Sequence, residues 1–170
     1  MNFKLTNRQP QGLLRLFLRM PIMLYRARLG WLLGGRFLML THIGRKSGQP
    51  RQTVLEVVHH DSETGAYFVA AAWGGKADWF RNIQANPAVQ VTAGTRTFPA
   101  TAAVMQADEA ARIFLAYARR YPLAFRELSR MMLGETLQPT LEDCSRMAQA
   151  VPLVTLTPKA LTGERDSQKA

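Results

Sequence analysis

The stretch richest in chemical groups is Gly44-Arg45-Lys46-Ser47-Gly48-Gln49-Pro50-Arg51, which packs three cations and a hydroxyl between two apolar runs. Two glycines and a proline mark it as a tight connection. Arg45 and Arg51 are suited to bidentate hydrogen bonds with phosphate or carboxylate oxygens, and Lys46 adds a point charge. Ser47 offers a hydroxyl, and the neighbouring glycines leave backbone N–H groups open to an anion. On residue types alone this is an anion cradle, or equally a solvated basic loop.

Other constellations exclude more than they suggest. The three histidines, His42, His59 and His60, are too few and too poorly spaced for a zinc or iron site. Adjacent strand residues face opposite ways, so His59 and His60 cannot chelate one ion together. Neither a P-loop, a dinucleotide fingerprint nor a nucleophile elbow occurs. Asp108-Glu109 and Glu142-Asp143 read as acids at helix starts rather than a catalytic pair. The single cysteine, Cys144, can form no internal disulfide and reads as a buried small side chain, in keeping with a cytoplasmic setting.

Charge supplies context for the turn. The chain of 170 residues has a formal net charge of +10. Ten Lys and Arg and no acid lie between Met1 and Leu55, whereas twelve of each sign follow from Glu56 onward. The whole excess therefore sits in the first third, which points to an anionic partner such as phosphate, polycarboxylate, lipid surface or nucleic acid.

The elements that must position the turn follow from periodicity. Residues 1–34 read as a basic amphipathic helical segment, helical from Gly12 to Leu33 and divided at Pro21. On one continuous helix, Arg8, Arg15, Arg19 and Arg26 would fall within a wedge of about 40°. Arg15 and Arg19 interrupt any signal-peptide core, and no run reaches the roughly 18 uncharged apolar residues of a membrane span. Residues 12–33 could instead lie on an anionic membrane surface or pack across the domain with the arginines in solvent.

Strands are expected at Phe37–Ile43, Gln52–His59, Ala66–Ala72, Val89–Ala93, Arg96–Val104 and Val151–Thr157. A short helix capped by Asp78 should run to Ala85, and a second, capped by Asp108, should carry Ala111, Phe114, Leu115 and Ala118 on one face. Pro122–Leu133 and Thr140–Ala150 complete the helical set, and residues 158–170 read as a polar, disordered tail. Short hairpins between strands argue for an antiparallel sheet, closed or partly split, in an α+β domain over residues 35–157.

Two motifs now converge. Leu40-Thr41-His42-Ile43-Gly44-Arg45-Lys46-Ser47-Gly48-Gln49-Pro50-Arg51 resembles the deazaflavin-dependent nitroreductase and quinone reductase family. So does Trp73-Gly74-Gly75 followed by Asp78-Trp79-Phe80-Arg81-Asn82-Ile83-Gln84-Ala85-Asn86-Pro87, and the similarity extends over roughly Phe37 to Ala103. The resemblance implies an FMN-binding-type split β-barrel that uses reduced coenzyme F420, a deazaflavin bearing a phosphate and an oligoglutamate tail. In the family's mode Lys46, Ser47 and Arg51 would hold phosphate and tail, with Arg45 adding to the local field. Val54 and Leu55 would border the ring, Ala72, Trp73 and Gly74 its other edge, and Trp79 and Asn82 the phosphate-side wall.

A cofactor-borne hydride agrees with the missing catalytic constellation, since the protein then binds, orients and excludes water. Tyr117 and Tyr121 are candidates for the substrate side, meeting charge on the oxygen of a quinone-like or nitro acceptor. Val54 stands where the family often has proline, and the Gly-Gly to Trp gap is shorter than usual. FMN is therefore the alternative cofactor, although it has no tail to occupy several cations. The resemblance also implies a homodimer. Nucleic acid is the less favoured partner, because aromatics are not interleaved with the basic residues as on a base-stacking surface.

Overall fold

The computed structural model describes residues 35–72 and 74–159. The expected segment 1–34, Trp73 and residues 160–170 lie outside the described residues. Six strands, β1 (Phe37–Ile43), β2 (Pro50–His60), β3 (Tyr67–Ala70), β4 (Ala88–Ala93), β5 (Arg96–Val104) and β6 (Leu153–Pro158), close into a barrel. Its order is β1-β2-β3-β6-β5-β4, and every neighbouring pair is antiparallel. Closure removes the exposed edges that an open sheet would leave. The α+β class and the antiparallel barrel are as expected.

The four helices are α1 (Asp78–Ala85), α2 (Ala107–Arg120), α3 (Pro122–Leu133) and α4 (Leu141–Ala150). Among the described residues they are inserted within the strand order rather than set at its two ends. Helix α1 joins β3 to β4, and α2, α3 and α4 together form the long excursion from β5 to β6.

Alternation along the strands builds two cores. Leu38, Leu40, Leu55, Val69, Val91, Ala100, Val154 and Leu156 point into the barrel, and Phe80 and Ile83 of α1 join them. A second core lies between barrel and helices, where Val58 and Leu153 meet Phe114, Phe125, Leu137, Cys144 and Met147. Val57 packs against the first core and Val58 lies in the second, and the β2–β3 register shifts between Val57 and His59. Adjacent strand residues face opposite ways, so a single strand serves both cores.

Several boundaries differ from expectation for local reasons. The third strand covers only Tyr67–Ala70, because Ala71 leaves the ladder to donate to the Pro152 carbonyl. Asp78 is the first residue of α1 and not its cap, which is Ala77, and the Asp78 carboxylate is used on Arg45 instead. Asp108 likewise lies inside α2, whose cap is Gln106. Thr140 is the true side-chain cap of α4, its hydroxyl accepting from the Asp143 N–H at 3.2 Å. The last strand reaches Pro158, paired with Ala100, and the Lys159 N–H donates to Pro99.

Candidate functional site

The β1–β2 connection closes on itself before it meets any ligand. The Gly44 N–H donates to the Gln49 carbonyl at 2.9 Å, and the Gly48 N–H to the Gly44 carbonyl at 2.8 Å. Gly48 has φ +65°, which side-chain-bearing residues rarely adopt. A Cβ at Gly44 would stand 2.7 Å from Ser47 Oγ and 3.4 Å from the Gln49 carbonyl oxygen, so a side chain there would displace the Ser47 hydroxyl.

Helix α1 then pins the turn from outside. Asn82 is buried, and its Oδ1 accepts from the Arg45 backbone N–H at 3.0 Å and from Arg45 Nη1 at 2.9 Å. Arg45 Nη1 also lies 3.1 Å from Asp78 Oδ1. The other end of the Asn82 amide meets His42 Nδ1 at 3.2 Å. With Oδ1 fixed by two donors, Nδ2 must donate, so His42 accepts at Nδ1 and is neutral. Burial, helped by Arg51, holds the His42 pKa below 6.5, against a smaller opposing effect of a backbone hydrogen bond at Ile43.

The remaining polar groups of the turn stay available. Among the described residues Lys46 and Arg51 have no ion-pair partner, and the Lys46 and Ser47 N–H groups have no acceptor. Ser47 Oγ accepts from the Gln49 N–H at 3.3 Å, which leaves its own proton free to donate. These groups line a cleft of about 560 Å³ whose walls also include His42, Gln52, Thr53 and Trp79. Arg45, Lys46, Ser47, Arg51, Trp79 and Asn82 are thus brought together as the sequence suggests. Arg45 differs in role: its Nη1 is committed to Asp78 and Asn82, so it fixes the turn, while Lys46 and Arg51 face the cleft.

The ring-side candidates sit differently. Leu55 is buried in the barrel, so its side chain turns away from the outer face and only its backbone can border a ligand there. Val54 lies on that outer face between Gln52 and Glu56. Gly74 lies against the α4–β6 connection, where a Cβ would approach the Ala150 carbonyl oxygen at 3.7 Å. Neither it nor Ala72 lines the first cleft.

Tyr117 and Tyr121 belong to a second cleft of about 760 Å³ between β2 and helices α2 and α3. Tyr117 is buried and its hydroxyl donates to Glu56 Oε1 at 3.1 Å. Arg36 donates to the same oxygen through Nε at 3.2 Å and Nη2 at 3.1 Å. Burial and then the Glu56 carboxylate push the Tyr117 pKa up to about 12, so the phenol stays protonated. Tyr121 is exposed, and its ring lies 5.5 Å from that of Tyr117.

Gln52 lines the first cleft and Glu56 the second. Four steps along the strand separate them, about 13 Å. The two clefts therefore stand at either end of one outer strip of β2, with Val54 between them. Sequence reasoning did not find His42, Asp78, Arg36 or Glu56. For His42 and Asp78 the signal is present, since both lie within the two motifs. For the other two the pairing is purely tertiary.

The donor set fits a flavin-like group carrying phosphate and further anions: cations without acidic partners, two free N–H groups and a hydroxyl beside an indole. Metal chemistry has no comparable support, as no group of three or more His, Cys, Asp or Glu among the described residues could hold an ion.

Comparison with known proteins agrees. Residues 18–128 match the family model described as F420H(2)-dependent quinone reductase. A relative named F420H(2)-dependent quinone reductase, from Mycobacterium tuberculosis strain H37Rv, is 35% identical over 72 residues, 41% of this chain and 46% of that protein. The corresponding protein of strain CDC 1551 matches to the same extent. The chain thus spans about half the length of the curated relatives it matches. Among solved structures, a protein of unknown function from Agrobacterium tumefaciens superposes with TM-score 0.52 at 20% identity, covering 84% of this chain and 56% of the other. HutZ, a haem storage protein from Vibrio cholerae, gives TM-score 0.50 at 18% identity, covering 84% and 92%. These two likenesses concern the fold. Since the family model covers well over half of the sequence, the chain belongs to the F420H(2)-dependent quinone reductase family.

Proposed function

We propose that the chain is a deazaflavin-dependent reductase that binds reduced F420 in the first cleft and a quinone-like or nitro acceptor in the second. The observation that carries this reading is the pair Lys46 and Arg51, without acidic partners among the described residues, on a turn that Asn82 and Arg45 hold rigid. Two cations with two backbone N–H groups suit a phosphate followed by carboxylates. FMN, with its one phosphate, would leave part of this set unused.

When bound, reduced F420 would supply a hydride and a proton, which balance the conversion of a quinone to a quinol without a further co-reactant. The chain's residues position and shield. Lys46, Arg51 and Ser47 anchor the anionic end, Trp79 forms a flat wall, and Val54 offers an apolar floor along β2. Holding reacting atoms about 3–3.5 Å apart supplies most of what such a transfer needs. Arg36 and Arg120, which line the second cleft, would stabilise negative charge growing on the acceptor oxygen. Tyr117 acts through Glu56, which it and Arg36 hold in place, whereas Tyr121 is free to meet the acceptor.

The test follows reduced F420 by its absorbance and fluorescence while 2-methyl-1,4-naphthoquinone or a nitroarene is added. Acceptor-dependent reoxidation above the rate without protein supports the reading, and its absence with both acceptors contradicts it. Peripheral membrane contact through residues 12–33 forms part of the proposal. Flotation of the full chain with anionic vesicles, but not with neutral ones, would support it.

A further inference from the structure

The second cleft presents a cation before any charge grows on an acceptor. Four charged side chains line it, Arg36, Glu56, Arg120 and Glu127. Glu56 is taken by Arg36, and Glu127 by Arg130 at 3.2 Å. Arg120 alone of the four has no acidic partner among the described residues. Its guanidinium carbon lies 5.4 Å from the Tyr121 ring centre, a contact that orients the cation without neutralising it.

The same cleft also has an apolar lining that is exposed among the described residues. Leu123 is 73% exposed and Met131 60%, both on α3, the helix that begins directly after Tyr121. An exposed apolar surface beside an unneutralised guanidinium matches a flat ring system that carries a negative charge at one edge. A neutral ring would use the wall and leave the cation unmatched until charge grows on it during reduction, whereas an anionic ring matches the cation on binding.

Resting on the reading of this cleft as the acceptor site, we propose that it selects aromatic acceptors bearing an anionic oxygen on the ring, with Arg120 as the specificity-determining residue. Glu56 and Tyr117 are positioning residues: they hold Arg36 as a second cation whose own charge Glu56 balances.

Two probes of one ring system separate charge from shape: 2-hydroxy-1,4-naphthoquinone, an anion at pH 7, and neutral 2-methyl-1,4-naphthoquinone. Affinities are measured by calorimetry on the full chain without cofactor, so the result does not depend on F420 binding. The anion should bind about tenfold more tightly, and that preference should shrink at high salt. Arg120→Gln should bring the ratio close to one, Arg120→Lys should keep it, and Arg36→Gln should reverse it by leaving Glu56 unbalanced. The preference should also persist in Lys46→Ala/Arg51→Ala, which places the probe away from the basic turn.

Equal or tighter binding of the neutral probe overturns the proposal, as does a preference that survives Arg120→Gln or disappears in Lys46→Ala/Arg51→Ala. If F420 binds and is reoxidised while the preference is missing, only this inference falls. If the preference is present and F420 does not bind, the cofactor reading falls instead.

Discussion

The two clefts are built by opposite means. The first is made around one self-closed segment, a turn of eight residues held by its own backbone hydrogen bonds, which a helix 37 positions on pins when Asn82 accepts two hydrogen bonds from Arg45. The second has no self-closed turn behind its charged groups, and is held only by side chains that meet across the fold, Glu56 joined to Arg36 across 20 positions and to Tyr117 across 61. The first presents backbone donors and cations on a rigid frame, which suits one constant anionic group. The second offers exposed apolar side chains on α3, a surface that can vary without disturbing the barrel. Rigidity at one end of β2 and latitude at the other suit a fixed cofactor and a selectable acceptor.

The comparison breaks first at the turn. In Lys46→Ala/Arg51→Ala, F420 affinity should fall at least about 100-fold, since each charge-assisted hydrogen bond contributes about 1.5–3 kcal/mol. A fluorescence titration reads this directly, and the melting temperature should be nearly unchanged because neither cation has an ion-pair partner among the described residues. Asn82→Ala should lower stability as well as F420 affinity, because it releases the turn that carries both cations. It strands the Arg45 N–H and His42 and should cost about 3 kcal/mol of stability by urea denaturation.

At the other end, Tyr117→Phe removes one hydrogen bond to Glu56 and should cost about 1 kcal/mol. It should leave F420 affinity intact, and a matching loss of affinity would mean that the two clefts are not separate. Smallest are the pH effects. His42 is held neutral, so its contribution to stability is present above pH 6.5 and declines as pH falls below it. Tyr117 behaves oppositely, its contribution being full below pH 10 and lost as pH rises towards 12. Melting curves across pH 5 to 12 in wild type, Tyr117→Phe and His42→Gln assign each limb.

What could be read in the sequence follows the same division. Strand alternation, Pro122 and Gly134 as helix limits, and the Gly44–Arg51 turn are encoded within a few residues, and they appear in the structure close to where periodicity sets them. Asp78 and Asp108 look like helix caps because acids favour first turns, yet they occupy positions inside the helix. For Asp78 the tertiary partner Arg45 explains the outcome. Leu55 and Val54 were read as a pair, but a strand sends neighbours to opposite faces, and Leu55 belongs to the barrel interior. The link from Tyr117 to Glu56 and Arg36 has no local signature, because it forms only where α2 packs against the outer face of β2.

The central claim is that the turn, held by Asn82, is the anchor of a polyanionic deazaflavin. Equilibrium titration of the full chain with F420 and, in parallel, with FMN tests it most directly. The account predicts saturable, stoichiometric binding of F420, tighter than FMN and weakened by salt. Stoichiometric binding of FMN in preference to F420, or no saturable binding of F420, would contradict it.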